Sequence, residues 1–180
     1  MNLEKLFNTQ RELSNKILDS HPELKGQNLF DKKILALLVE LGECANEYRA
    51  WKFWSKDQEP RTKVQWDYSL DDEPIFRNLL LEEYVDGLHF VLEIGLEHGI
   101  DELIEVLAID DLKLSSITKQ FTLLFQTDWD VYEEGNGGYY HEGLELYIGL
   151  GEMLGFTWEE IENAYFEKNK VNHERQNTGY

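Results

Sequence analysis

The chain has one cysteine, Cys44, in 180 residues, which excludes an intrachain disulfide and any cysteine-built zinc cluster. Its apolar helical surroundings read as those of a buried filler rather than a nucleophile. Basic residues are scarce: 17 Lys and Arg stand against 36 Asp and Glu, a net charge of −19. Such a charge repels nucleic acid at long range and excludes a broad DNA- or RNA-binding surface, though not a small phosphate ligand with its own metal. No stretch of 18 residues is free of charge, so no membrane span is expected. The N-terminus, MNLEKLFNTQREL, carries acids and lacks the apolar run of a signal peptide, and a cytoplasmic protein is the expectation. HExxH, the phosphate-loop pattern GxxxxGK[ST] and the Glu-x-x-His pair of ferritin-like metal sites are all absent. Strand alternation is weak throughout, and no internal repeat is visible.

What is present is helical periodicity on a chain that is 42% hydrophobic and 13% aromatic, enough to bury a core. Leu3, Leu6, Phe7, Leu13, Ile17 and Leu18 predict a first amphipathic helix that ends before His21 and Pro22. A second helix, capped by Asp31, is predicted to run to about Ser55, followed by a loop over residues 56–72. A third spans about residues 74–98, with Pro74 in its first turn and Gly99 as its stop. Asp101 is placed as the cap of a shorter fourth helix. Residues 119–129 read as helix, the run EEGNGGYY at 133–140 as a break, and residues 143–154 as helix despite their glycines. Thr157 and Glu160 form a capping box for the last helix. The polar tail that follows is expected to order only around a ligand. The fold class is therefore all-α, a single helical bundle over residues 1–180, with a less regular insert or small subdomain at about 110–140.

Acids three residues apart mean little where one residue in five is acidic, so their placement is what counts. At about 100° per residue, Ile34, Leu37, Leu38, Leu41, Ala45 and Tyr48 share one face of the second helix. Glu40, Glu43 and Glu47 form a stripe beside it, yet Leu35 and Val39 make the far side apolar too. On the third helix Glu83 and Asp86 share a stripe with Phe90. Two carboxylates on each of two interior helices need compensation, since burial and mutual repulsion both oppose ionisation. Arg49 and Arg77 are too few for four acids. Oxygen donors without His or Cys select hard ions, Mg²⁺ first and Mn²⁺ as a substitute, and Mg²⁺ commonly shares its shell with substrate phosphates. Solvated acids on a surface helix are the competing reading.

The tail KNKVNHERQNTGY supplies cations. Lys168, Asn172 and Arg175 fall at i, i+4 and i+7 on one helical face, a point charge, an amide and a planar fork suited to phosphate oxygens.

Three segments carry a resemblance: ELGECANEYRAWKFWS at 40–55, EEYVDGLHFVL at 82–92, and the tail at 168–180. Together they resemble the dimeric all-α dUTPases of the all-α nucleoside triphosphate pyrophosphohydrolase superfamily, over nearly the whole chain. ExxE followed by ExxD is common to that superfamily, whereas DxLHF and KNxxNxxRQxxGY look specific to the dUTPase branch. The resemblance implies a homodimer that cleaves dUTP, and dUDP as well, to dUMP. It makes Glu40, Glu43, Glu83 and Asp86 the ligands of two or three Mg²⁺ ions, with Glu43 also activating the attacking water. Lys168, Asn172, Arg175 and Lys56 would contact phosphates, with Tyr180 closing over the site. His89 and Phe90 would lie at the deoxyribose, and Gln10 and Trp54 at the uracil. Metal ions would polarise the phosphoryl oxygens, the cations would stabilise the leaving group, and hydrogen bonds to the base edge would set specificity.

Residues 110–140 depart from the family core. They read as a decoration packed on the bundle, the alternative being an insert that docks a regulatory repressor, as in some phage-encoded members. Two rival functions stay open on sequence grounds: a related pyrophosphohydrolase for dCTP or nucleoside triphosphates at large, and an acidic partner-binding protein without catalysis.

Overall fold

The computed structural model describes residues 2–104, 108–130 and 138–178. Helix α1, Leu3–Ser20, starts where the Asn2 side chain accepts a hydrogen bond from the Lys5 amide at 3.0 Å, and it turns Leu3, Leu6, Phe7, Gln10 and Leu13 inward. It stops at His21, ahead of Pro22 and a single 3-10 turn, Pro22–Leu24.

Helix α2, Phe30–Tyr48, is seven residues shorter than its apolar run predicts. Arg49 takes a left-handed conformation with φ 63°, and the Trp51 indole donates at 2.7 Å to the Ala45 carbonyl, which also accepts from the Arg49 amide at 3.2 Å. The tryptophan-rich segment thus folds back on the helix end instead of extending it. Asp31 lies in the first turn and does not cap. The Asn28 side chain instead accepts from the Phe30 amide at 3.0 Å.

The loop expected at 56–72 holds a strand, and the start of the third helix is displaced. Val64–Tyr68 (β1) pairs antiparallel with Pro74–Arg77 (β2), in register Val64 to Arg77 and Tyr68 to Pro74, with an irregularity between Gln65 and Asp67. The residues of this hairpin are mostly exposed, so neither strand shows the alternation by which a half-buried strand is recognised. Pro74 lies in β2 and not in a helix. Asn78 then caps α3, Leu79–Glu97, by accepting from the Leu81 amide at 3.1 Å.

Helix α3 is the axis of the bundle and packs against α1, α2, α5 and α6. It ends at Gly99, which supplies φ 69°. Beyond it the described residues form a 3-10 turn, Ile100–Glu102, where Asp101 had been expected to cap a helix, part of which falls on residues 105–107, outside the described residues. Helix α4 is Ile117–Gln126, α5 is Gly138–Met153 and α6 is Trp158–Thr178. The break expected at 133–140 falls largely outside the described residues. The capping box at α6 is formed: the Glu160 carboxylate accepts from the Thr157 amide at 2.8 Å, and the Thr157 hydroxyl from the Glu160 amide at 3.3 Å. Helix α6 continues through the tail to Thr178.

Two helices meet closely because glycine opens the way. Tyr84 and Tyr147 each donate to the other's backbone carbonyl, at 3.0 and 2.7 Å, with rings stacked 4.9 Å apart. A Cβ at Gly87 would fall on the Tyr147 hydroxyl. Within the described part of 110–140, Gln120 is fully buried. Its amide donates to the Leu112 and Leu146 carbonyls, both at 2.7 Å, and Trp129 is buried with it. This segment packs on α5 and α2. Cys44 is fully buried, with its thiol pushed up by burial.

Candidate active site

Helices α2 and α3 each present a pair of acids at one-turn spacing to their common groove. Carboxylate oxygens of Glu40, Glu43 and Glu83 lie within 4.8 Å of one another. Glu40, Glu83 and Asp86 are half-buried, whereas Glu43 faces solvent, so the expectation of four interior acids holds for three. Burial raises the Glu40 carboxyl to about 7, with the charges of Asp86 and Glu43 adding to it. Burial likewise raises Glu83 to about 7, helped by Asp86, Glu43 and Glu40. Asp86 is raised by burial against the opposing pull of Lys168.

Lys168 reaches across from α6 to form an ion pair with Asp86. It is the counter-charge in contact with the cluster, and Arg175 on the same face of α6 also acts on Asp86, whereas Arg61 and Arg77 are engaged elsewhere. Arg61 pairs with Glu47 at 3.3 Å, and Arg77 pairs with Glu82 while its guanidinium lies 4.1 Å over the Trp66 ring. Lys168 and Arg175 do not balance four clustered acids. The donor set is oxygen alone, and its raised carboxyls show that positive charge is what the cluster wants. These residues therefore fit a hard divalent cation.

Beside the acids lies a cavity of about 290 Å³. Gln10 contributes from α1, Lys33 and Glu40 from α2, and Asp86, His89, Phe90 and Glu93 from α3. The α6 face predicted from the tail, Lys168, Asn172 and Arg175, closes it. Eight of the predicted site residues thus line one space. A larger cavity of about 500 Å³ opens on the other side of Lys168 and Arg175, among Phe76, Leu81, Val85 and Val171, but none of Glu40, Glu43 and Glu83 lines it.

A buried polar network forms one wall of the smaller cavity. His89 Nδ1 lies 2.8 Å from Gln10 Oε1, and the Tyr165 hydroxyl donates to the same oxygen at 2.9 Å. Gln10 Nε2 donates to Glu93 at 3.0 Å, and Glu93 pairs with Lys33 at 2.7 Å. Burial lowers His89 to about 3, so the ring is neutral at physiological pH. Lys33, Glu93 and Tyr165 were missed from the sequence. A signal was present in the one-turn spacing of His89 and Glu93 on α3.

Four described residues of the expected set do not line this cavity: Glu43 and Glu83 stand with Glu40 in the acid cluster beside it, and Trp54 and Lys56 are farther out. Trp54 is 64% exposed and stands edge-on to Trp51 and Phe53, and Lys56 is exposed on the same loop. Tyr180 lies outside the described residues.

A search of curated proteins finds no match. A sequence profile described as dUTPase matches residues 2–180, nearly the whole chain. The family depends on divalent metal, in accord with the carboxylate cluster between α2 and α3. The chain belongs to the dUTPase family and hydrolyses dUTP to dUMP and pyrophosphate.

Proposed function

We propose that dUTP binds in the cavity of about 290 Å³ with its phosphates toward the acids of α2 and α3 and its nucleoside toward α1. One observation carries this reading: metal-type carboxylates, phosphate-type cations and a polar nucleoside-sized recess converge on a single space. Glu40, Glu43, Glu83 and Asp86 would hold Mg²⁺, two or three ions, with Mn²⁺ as a substitute. Ions held there would neutralise the carboxylates and supply polarisation of the phosphoryl oxygens. Lys168, Asn172 and Arg175 orient the phosphates and stabilise the charge on departing pyrophosphate. Glu43 is the exposed member of the cluster, free to meet solvent and to take the proton of the attacking water. The water oxygen bonds to phosphorus as the bridge between the first and second phosphates breaks. dUDP would be cleaved in the same way.

Phe90 and His89 would lie along the deoxyribose and Gln10 at the base. Trp54 and Lys56, on the loop after α2, and Tyr180 would complete the site from outside. Leu35 and Val39 on the outer face of α2 are 63% and 48% exposed, which supports burial against a second copy in a homodimer. No helix among the described residues is long and apolar enough to cross a membrane, and a cytoplasmic enzyme is proposed. The net charge of −19 argues against binding to nucleic acid polymers. Residues 110–140 are proposed as a decoration, whose described part packs on the bundle, with docking of a repressor as the alternative role.

Pyrophosphate release from dUTP, with Mg²⁺ and with chelator, tests the reading, with dCTP and dTTP as competitors. Glu43→Gln should lower turnover about a thousandfold while leaving the protein folded and no less stable to heat, since it removes one of the charges that crowd Glu40 and Glu83. Undiminished turnover in that variant would refute the role of Glu43.

A further inference from the structure

We propose that the Glu93–Lys33 ion pair is a positioning element for the nucleoside pocket: through the Gln10 amide it holds His89 with its proton on Nδ1, so that Nε2 meets the bound nucleoside as an acceptor only. The inference rests on the nucleoside lying in the cavity that Gln10 and His89 line.

The Gln10 amide has two possible orientations, and its surroundings distinguish them. In the orientation present, Nε2 donates to the Glu93 carboxylate at 3.0 Å, and Oε1 faces His89 Nδ1 at 2.8 Å and the Tyr165 hydroxyl at 2.9 Å. Turned over, Oε1 would face a carboxylate, which can only accept while ionised. The Tyr165 hydroxyl could serve as donor or acceptor, and neutral His89 could offer either nitrogen, so neither fixes the amide by itself. Glu93 does. Lys33 keeps a positive charge 2.7 Å from it, and the Ser14 hydroxyl donates to it as well. With Oε1 thus directed at His89, Nδ1 must be the donor. Nε2 is then a bare lone pair.

That nitrogen is buried and has no partner among the described residues. The ring is stacked 4.2 Å from Tyr165 and is 6% exposed, so it cannot swing out to water. A buried acceptor left unmet is costly, and a hydrogen-bond donor on the ligand relieves it. The donor is a nucleoside hydroxyl or the imide N–H of the base. A donor on the protein competes for the role: Asn169 Nδ2, likewise buried and without a partner among the described residues.

The tautomer is read directly by ¹⁵N NMR of the histidine ring in the ligand-free protein, with His89 assigned by a His89→Phe variant. A proton on Nδ1 is expected, and a predominant Nε2–H form would overturn the proposal without any further variant. Glu93→Gln can present either end of its amide to Gln10. It should give a mixture of tautomers and raise KM for dUTP about tenfold with kcat within twofold, the loss of one well-placed hydrogen bond. A single unchanged tautomer with unchanged KM would refute the lock. In a Gln10→Ala background Glu93→Gln should raise KM no further, and an undiminished effect there would refute transmission through Gln10. Addition of dUMP should shift the His89 Nε2 resonance. Loss of that shift with 2′,3′-dideoxyuridine monophosphate assigns the donor to the 3′-hydroxyl, and loss with N3-methyl-dUMP assigns it to the base. No shift with any nucleotide means that Asn169 satisfies the nitrogen, and the acceptor role falls. Unchanged KM in His89→Phe would instead show that the nucleoside lies elsewhere, whatever the ligand-free tautomer.

Discussion

Stripping divalent metal from the protein should cost little stability at pH 5 and a good deal at pH 8. The carboxyls of Glu40 and Glu83 stand at about 7 in the folded protein, against an ordinary value of 4.5. Between those values the folded chain holds protons that the unfolded chain has released. The stability these two groups confer is therefore present below about 4.5 and lost as pH rises through about 7. Each shift, fully shielded, would amount to about 3 kcal/mol. Solvent reaches the cluster on the Glu43 side and screens it, which brings the figure to about 1–2 kcal/mol for each group. For a chain of this length the two together correspond to about 5–10 °C in Tm. A divalent cation competes with the protons, so Mg²⁺ should raise Tm by that amount at pH 8 and by much less at pH 5. Thermal unfolding in chelator and in Mg²⁺, at both pH values, measures it. The control is Glu40→Gln/Glu83→Gln, which removes the repelling charges. Without metal at pH 8 it should unfold several degrees above the parent, and it should respond weakly to Mg²⁺. A metal-free double variant no more stable than the parent at pH 8 would refute the electrostatic reasoning.

Lys168→Met deprives Asp86 of its ion pair and the cavity of a cation, and steady-state assays should find kcat/KM for dUTP lowered at least a hundredfold. Gly87→Ala places a methyl group against the Tyr147 hydroxyl between α3 and α5. Overpacking of this kind costs about 1–3 kcal/mol, visible as a lowered urea midpoint with both tyrosine hydrogen bonds disturbed. Thr157→Ala breaks the capping box of α6 and should cost about 1 kcal/mol in the same assay. Since α6 carries Lys168, Asn172 and Arg175, its first turn should also fray in hydrogen exchange.

Features that depend on neighbours along one helix were legible before any coordinates. Glu40 with Glu43, Glu83 with Asp86, and Lys168 with Asn172 and Arg175 share faces because a helix repeats every 3.6 residues. The capping box at Thr157 and the stop at Gly99 are likewise local chemistry. The end of α2 was not legible, because the apolar run continues beyond Tyr48. What ends the helix is the Trp51 indole turning back to Ala45 and the left-handed Arg49. The hairpin escaped notice because an exposed two-stranded ribbon has no buried face to impose a period of two.

By itself, the sequence determined an all-α chain with two acid pairs, a basic helical tail and the segments that resemble dUTPases. Only the tertiary structure decided which groups meet. Lys168 finds Asp86 across 82 residues, and Gln10 joins His89 across 79. It also decided that Glu43 faces water while Glu40 and Glu83 are pressed into a groove that lifts their carboxyls to about 7. Helical periodicity places a side chain on a face. Which face it meets, and how much water is left between them, depends on how helices distant in the chain dock.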